Sequence, residues 1–214
     1  MRQRPGHRAP LRRRWARRLG LVVATTLALA GTTRADTWSL ARDENGITVH
    51  TRPVPGSGIE EFRGVVEIDA SADAILELVR DSERFKDWFP NTPESRLLDR
   101  DGAVSHQYSV MDAPWPVSDR DNVFRSVLTQ DTEDGTFELR ITADPDHHPE
   151  QPGRVRVRRA NGLWRFEPLG PERTRVTFQM HLDPGGGVPS WLINARVVDS
   201  PFEALTNLRA TLGD

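Results

Sequence analysis

Near the end of the chain, apolar residues recur at three- and four-residue steps: Trp191, Leu192, Ala195, Val198, Phe202 and Leu205, with Leu212 further on. Asn194, Arg196, Asp199, Glu203 and Asn207 take the other side. This stripe predicts one long amphipathic helix over residues 188–212. Gly185-Gly186-Gly187 leads into it, and Pro189 suits its first turn, where a missing N–H costs nothing. Pro201 falls inside the stripe. There it removes the bond to the Val197 carbonyl, so a bend is expected at that point.

Upstream the period is two. Residues 38–41 and 47–51 flank Asp43-Glu44-Asn45-Gly46, an Asn-Gly turn between alternating runs and a strong hairpin signal. Residues 61–68 alternate Phe62, Gly64, Val66 and Ile68 against polar neighbours and predict a third strand. A helix follows from Ser71-Ala72-Asp73 to about Arg84, capped by Ser71 or Asp69, with Ile75, Leu76, Leu78 and Val79 on its apolar face. Phe85, Trp88, Phe89 and Pro90 close that segment. Strands are then predicted over 95–98, 103–111, 121–128, 136–142, 154–159, 162–167 and 174–182.

Period two sorts these strands into faces. The inward candidates are Tyr108 and Val110; Val123 and Val127, or else Phe124 and Leu128; Phe137, Leu139 and Ile141; Val155 and Val157; Trp164 and Phe166; and Val176, Phe178, Met180 and Leu182. Arg154, Arg156, Arg158, Glu138 and Arg140 are assigned to water. One wet and one dry face describe a curled antiparallel sheet, so the fold class is α+β, with one domain over 36–214.

The first 35 residues read differently. They hold nine arginines and no acid, followed by an apolar run over 19–30 and small residues at Ala28, Ala30 and Ala35. That order predicts a signal peptide cleaved after Ala30 or Ala35, and a periplasmic or secreted protein. The run is shorter than the about 20 residues of a membrane span, and an uncleaved anchor is the alternative. Removing nine of the 29 basic residues against 31 acids leaves a net charge near −11. So acidic a domain has little means of neutralising phosphates, which excludes nucleic acid as a partner. There is no cysteine, hence no disulfide, thiol chemistry or thiolate metal site.

Catalytic motifs are missing: no nucleophile elbow, P-loop, dinucleotide fingerprint or His-Glu-x-x-His helix occurs. Asp144, Asp146, His147 and His148 could ligate a metal, but Pro145 and Pro149 place them in a loop, read as solvated. His106 and His181 are read as ordinary strand residues.

Three stretches carry a resemblance. Ala113-Pro114-Trp115-Pro116-Val117-Ser118-Asp119-Arg120-Asp121 resembles the signature loop and strand start of START domains, the lipid-transfer modules related to the steroidogenic acute regulatory protein. Gly162-Leu163-Trp164-Arg165-Phe166-Glu167-Pro168 resembles that family's Gly-x-Trp strand, and Asp183-Pro184-Gly185-Gly186-Gly187-Val188-Pro189-Ser190-Trp191-Leu192 its entry to the last helix. The resemblance implies a helix-grip fold, a curved antiparallel sheet wrapped round the C-terminal helix and enclosing a tunnel for one hydrophobic ligand.

Combining that fold with the inward faces gives a candidate wall. The sheet would contribute Tyr108, Val110, Phe137, Leu139, Val157, Phe178 and Met180, and the helix Trp191, Ala195, Val198 and Phe202. Trp115, rigid between two prolines, is the candidate gate. Arg120 either meets a ligand head group or pairs with Asp119, Asp121 or another acid. The expected function is an exported, non-enzymatic carrier of a sterol, fatty acid, phospholipid or polycyclic compound in a cavity of about 300–1,000 Å³. It would need no cofactor or metal, act as a monomer and touch membranes only to exchange ligand. The alternative is a helix-grip enzyme of cyclase or hydrolase type, and a filled core would indicate a structural role.

Overall fold

A computed structural model describes residues 37–213. The predicted signal peptide and its cleavage points lie outside the described residues. The strands are β1 (Ser39–Glu44), β2 (Ile47–Arg52), β3 (Glu61–Ile68), β4 (Glu94–Asp101), β5 (Val104–Met111), β6 (Arg120–Gln130), β7 (Phe137–Ala143), β8 (Val155–Arg156), β9 (Arg159–Gly170) and β10 (Arg173–Asp183). The helices are α1 (Ala72–Arg80), α2 (Phe85–Trp88), α3 (Ser190–Asn194) and α4 (Asp199–Gly213).

The strands form one sheet in the order β1-β2-β3-β10-β9-β7-β6-β5-β4, with the short β8 paired parallel to the start of β6. Neighbours along this path are antiparallel, and the sheet stays open between β1 and β4. Asn45 and Gly46 turn the first hairpin with φ of 54° and 73°, as the Asn-Gly pair demands. The segment holding α1 and α2 carries the chain from β3 to the far edge. Ser71 caps α1, its Oγ accepting from the Ala74 N–H at 3.3 Å, and Ile75, Leu76, Leu78 and Val79 are buried as the stripe requires. The helix stops at Arg80, about one turn short of the expected end.

The C-terminal helix departs from the single bent rod that the stripe implies. It is broken: α3 ends at Asn194, three-residue turns follow, and α4 begins at Asp199. A proline ring at 201 clashes with a helical carbonyl at 197. The chain unwinds before that clash, which leaves Pro201 in the first turn of α4, where its missing N–H is harmless. Pro201, Phe202, Ala204, Leu205 and Leu208 are buried. Leu205 comes so close to β3 that a Cβ on Gly64 would stand 2.7 Å from its Cδ1.

The main core joins α1, α2 and α4 to β2, β3, β7, β9 and β10. A second small core of Tyr108, Val110 and Val123 lies apart from it, with Leu98 packed alongside. The segment 144–158 closes over this second core. Val155 and Val157 donate backbone N–H bonds to Asp119 and Asp121 at 2.9 Å, and Arg154 Nη1 donates to the Tyr108 hydroxyl at 2.7 Å. Arg156, assigned to water by its alternation, is therefore buried, and Asp121 is its partner.

Candidate functional site

Between the inner sheet face, the 112–117 loop and the α3 region lies a cavity of about 700 Å³. Its apolar floor comes from Phe62, Leu139, Ile141, Trp164, Phe178 and Met180. Trp164 and Phe178 stack at 4.0 Å, and Phe62 meets Phe178 edge-on at 5.0 Å. Phe85 and Phe89, stacked at 4.5 Å, close one side. Leu192, Ile193 and Val197 supply the cover from the broken helix, and Ala113, Pro114 and Val117 from the loop.

The wall along β5 and β6 is polar. Gln107, Ser109, Asn122, Ser126 and Arg120 all border the cavity, with Met111 and Phe124 between them. The register sets Met111 opposite Arg120, Ser109 opposite Asn122 and Gln107 opposite Phe124, so one pleat face carries the strip. Arg120 is 4% exposed and Asn122 3%. The Arg120 guanidinium donates to two backbone carbonyls, Ser118 through Nη1 and, at 3.5 Å, Gly185 through Nη2. Among the described residues no carboxylate comes within 4.0 Å of it. Burial lowers its basicity, and the charge of Asp119 offsets this in part. Asn122 Nδ2 donates to Ser109 Oγ at 3.5 Å, while the buried Asn122 Oδ1 has no partner.

Of the expected wall residues, Arg120, Leu139, Phe178 and Met180 border this space. Tyr108 and Val110 point to the other face of β5, into the second core. Their alternation was regular, but both faces of β5 are covered here, so an apolar parity does not identify the cavity side. Burial there pushes the Tyr108 phenol up from its ordinary value. Phe137 belongs to the main core and Val157 is buried just beyond β8, both off the cavity wall. The break after α3 shifts the phase of the helix stripe. Trp191, on α3 ahead of the break, is 70% exposed and Ala195 is exposed, whereas past the break Val198 is half-buried off the wall and Phe202 packs in the core beneath the Arg42 guanidinium. Trp115 is 93% exposed at the loop tip, while its neighbours Pro114 and Val117 line the cavity.

The polar strip does have a signal in the sequence. Arg120, Asn122, Phe124 and Ser126 share one parity, and Arg120 was already a candidate for the tunnel.

A START domain family model matches residues 21–214. The chain belongs to the START domain family. An uncharacterised protein of Pseudomonas aeruginosa is 39% identical over 193 residues, covering 90% of this chain and 95% of that protein. The rat steroidogenic acute regulatory protein is 30% identical over 80% of this chain, which spans 62% of that protein's length. A STAR-related lipid transfer protein from Xanthomonas axonopodis has a solved structure 42% identical to this chain. It superposes with a TM-score of 0.79 over 84% of this chain and all of that one. The helix-grip architecture expected from the motifs is thus the fold of this START domain.

Away from the cavity, this START domain gathers Asp99, His106 and His147, whose ligand atoms lie within 4.8 Å of one another. His106 Nδ1 lies 2.8 Å from Asp99 Oδ1, His147 Nε2 2.5 Å from Asp99 Oδ2, and His106 Nε2 3.3 Å from Asp144 Oδ2. The two imidazoles stack at 3.6 Å and 12°. Two near-parallel rings 3.6 Å apart cannot both hold one ion in their ring planes, and each imidazole already meets a carboxylate, so the group fits a hydrogen-bonded clamp better than a metal centre. The histidine bonds hold the Asp99 carboxyl below the usual carboxylate range. His147 and Asp144, read as a solvated loop, thereby fasten that loop to β4 and β5.

Proposed function

We propose that this START domain binds and transfers a single hydrophobic, lipid-like molecule held in the cavity, and that it does so without chemistry. The observation that carries the reading is the cavity of about 700 Å³ with an aromatic and aliphatic floor. That volume falls within the range of about 300–1,000 Å³ usual for a bound small molecule. Burial of apolar ligand surface there is worth about 25 cal/mol per Å² before the costs of binding. Among the described residues no histidine, lysine or tyrosine borders the cavity; its carboxylates are Glu60 and Asp112, and with no histidine or lysine on the wall beside them they form no catalytic dyad there. The names of relatives point the same way: a STAR-related lipid transfer protein in Xanthomonas and a phosphatidylcholine transfer protein in mouse, 28% identical over 73% of this chain.

We further propose that the ligand is exchanged at a membrane. Trp115 at the loop tip and Trp191 on α3 are exposed on the two elements that cover the cavity, and indole rings favour the headgroup zone. We assign these two residues to a transient membrane contact made by a monomer. The arginine-rich start, the short apolar run and the small residues at Ala28, Ala30 and Ala35 support export to the periplasm or beyond.

The test is titration of delipidated protein with a fluorescent acyl lipid, followed by transfer between vesicles. Saturable uptake of one molecule per chain is expected. Uptake of none, or turnover of the lipid into a new product, would refute the reading.

A further inference from the structure

We infer that the ligand is an acid: an amphiphile whose anionic head sits against Arg120 and carries a hydroxyl or amide N–H for Asn122. The inference rests on the carrier reading and narrows it to one chemical class. Arg120 and Asn122 are two residues apart on one face of β6, about 6.6 Å along the strand. Both are more than nine-tenths buried and both border the cavity. A guanidinium offers five N–H donors, and the two partners of Arg120 are neutral carbonyls. Among the described residues no carboxylate touches the Arg120 guanidinium, although Asp119 lies near it and Glu60 and Asp112 border the same cavity, so an anion that docks on the guanidinium itself gains a contact that a neutral head cannot. Paired oxygens of a carboxylate or a phosphate match the planar guanidinium fork.

Asn122 adds a second condition. Its Nδ2 is engaged by Ser109, whereas its Oδ1 is buried without a partner. An acceptor in that state repels a bare anion and is satisfied by a donor close to the acid group. The aromatic floor of Trp164 and Phe178 takes the chain or ring system beyond the head. A neutral sterol or wax ester would leave Arg120 uncompensated.

Equilibrium dialysis of the delipidated full domain against radiolabelled dodecanoic acid, its β-hydroxy derivative, dodecanol and methyl dodecanoate tests this. Wild-type protein should hold the acid roughly ten- to a hundredfold more tightly than the alcohol or the ester, the worth of a charge-assisted bond. The β-hydroxy acid should bind more tightly still. Arg120→Met should erase the preference for acid while still taking dodecanol, and Asn122→Leu should erase only the preference for the hydroxyl. Equal affinity of wild type for acid, alcohol and ester overturns the anion assignment and leaves the carrier reading standing. Equal affinity for the two acids overturns the role of Asn122. Uptake of none of the four probes overturns the carrier reading itself. The ester comparison needs no variant, so the proposal stays testable if Arg120→Met fails to fold.

Discussion

Arg156 grips Asp121 through two parallel bonds, Nε to Oδ1 at 3.0 Å and Nη2 to Oδ2 at 2.7 Å, with both side chains almost fully buried. Its remaining N–H groups go to the carbonyls of Pro145, His148 and Pro149, so one guanidinium fixes the covering segment to β6. The pair raises the basicity of Arg156 because its carboxylate partner lies beside it. Asp121→Ala should cost about 3–5 kcal/mol, since it strands a buried cation. Replacing both partners with leucine and methionine should cost much less. Urea unfolding of the two variants checks this; equal losses would show that the loop bonds dominate and the ion pair does not.

A second close approach lies under α4. Pro201 and Leu205 pack on β3 at Gly64, where a Cβ would meet Leu205 at 2.7 Å and Pro201 at 3.5 Å. Gly64→Ala should destabilise by about 1–3 kcal/mol through overpacking. A smaller residue at 205 should partly relieve it, so that Gly64→Ala with Leu205→Val loses less than the sum of the single losses. Strict additivity in thermal unfolding would mean that α4 moves freely over the strand.

These contacts also mark where the sequence was readable. The Asn45-Gly46 hairpin, the Ser71 cap and the inward parity of Leu139, Phe178 and Met180 were legible because local geometry determines them. The face taken by Tyr108 and Val110 was not, because 144–158 covers the outer side of β5 and β6 and gives apolar residues a home on either face. Alternation assigns Arg156 to water wrongly for the same reason. Pro201 fits both a kinked helix and the first turn of a new one, and only the packing of Pro201 on Gly64, with Phe202 buried beside it in the chain, distinguishes them. Arg120 was visible as a candidate, whereas Asn122 became one only when its strand partner Ser109 was known.

Acid should loosen the turn before α3. Asp183 accepts the Gly185 N–H at 3.0 Å and a bond from Arg159, and the backbone bond chiefly holds its carboxyl below the usual range. A carboxylate depressed in the folded state contributes stability that is fully present above its unfolded value, roughly pH 3.9, and is lost as pH falls through the folded value. Wild type should therefore exceed Asp183→Asn in urea midpoint at neutral pH, and the gap should close only below about pH 4. A gap that is constant down to pH 2 would assign the loss to something other than this charge.

The two aromatics at 115 and 202 should behave oppositely. Trp115 is 93% exposed on a loop whose neighbours border the cavity, whereas Phe202 is 7% exposed and packed in the core. An exposed indole contributes little to folding, and its value lies in what it can enter when the domain meets a bilayer. Trp115→Ala should thus leave thermal unfolding close to wild type but slow the transfer of a fluorescent lipid between vesicles severalfold. Phe202→Ala should cost about 3–5 kcal/mol through the cavity it leaves, and should slow transfer only as far as it unfolds the domain. Stopped-flow transfer measured beside chemical denaturation separates the two. If Trp115→Ala transfers lipid at the wild-type rate, the membrane contact lies elsewhere; if it unfolds as readily as Phe202→Ala, the loop is part of the fold's support.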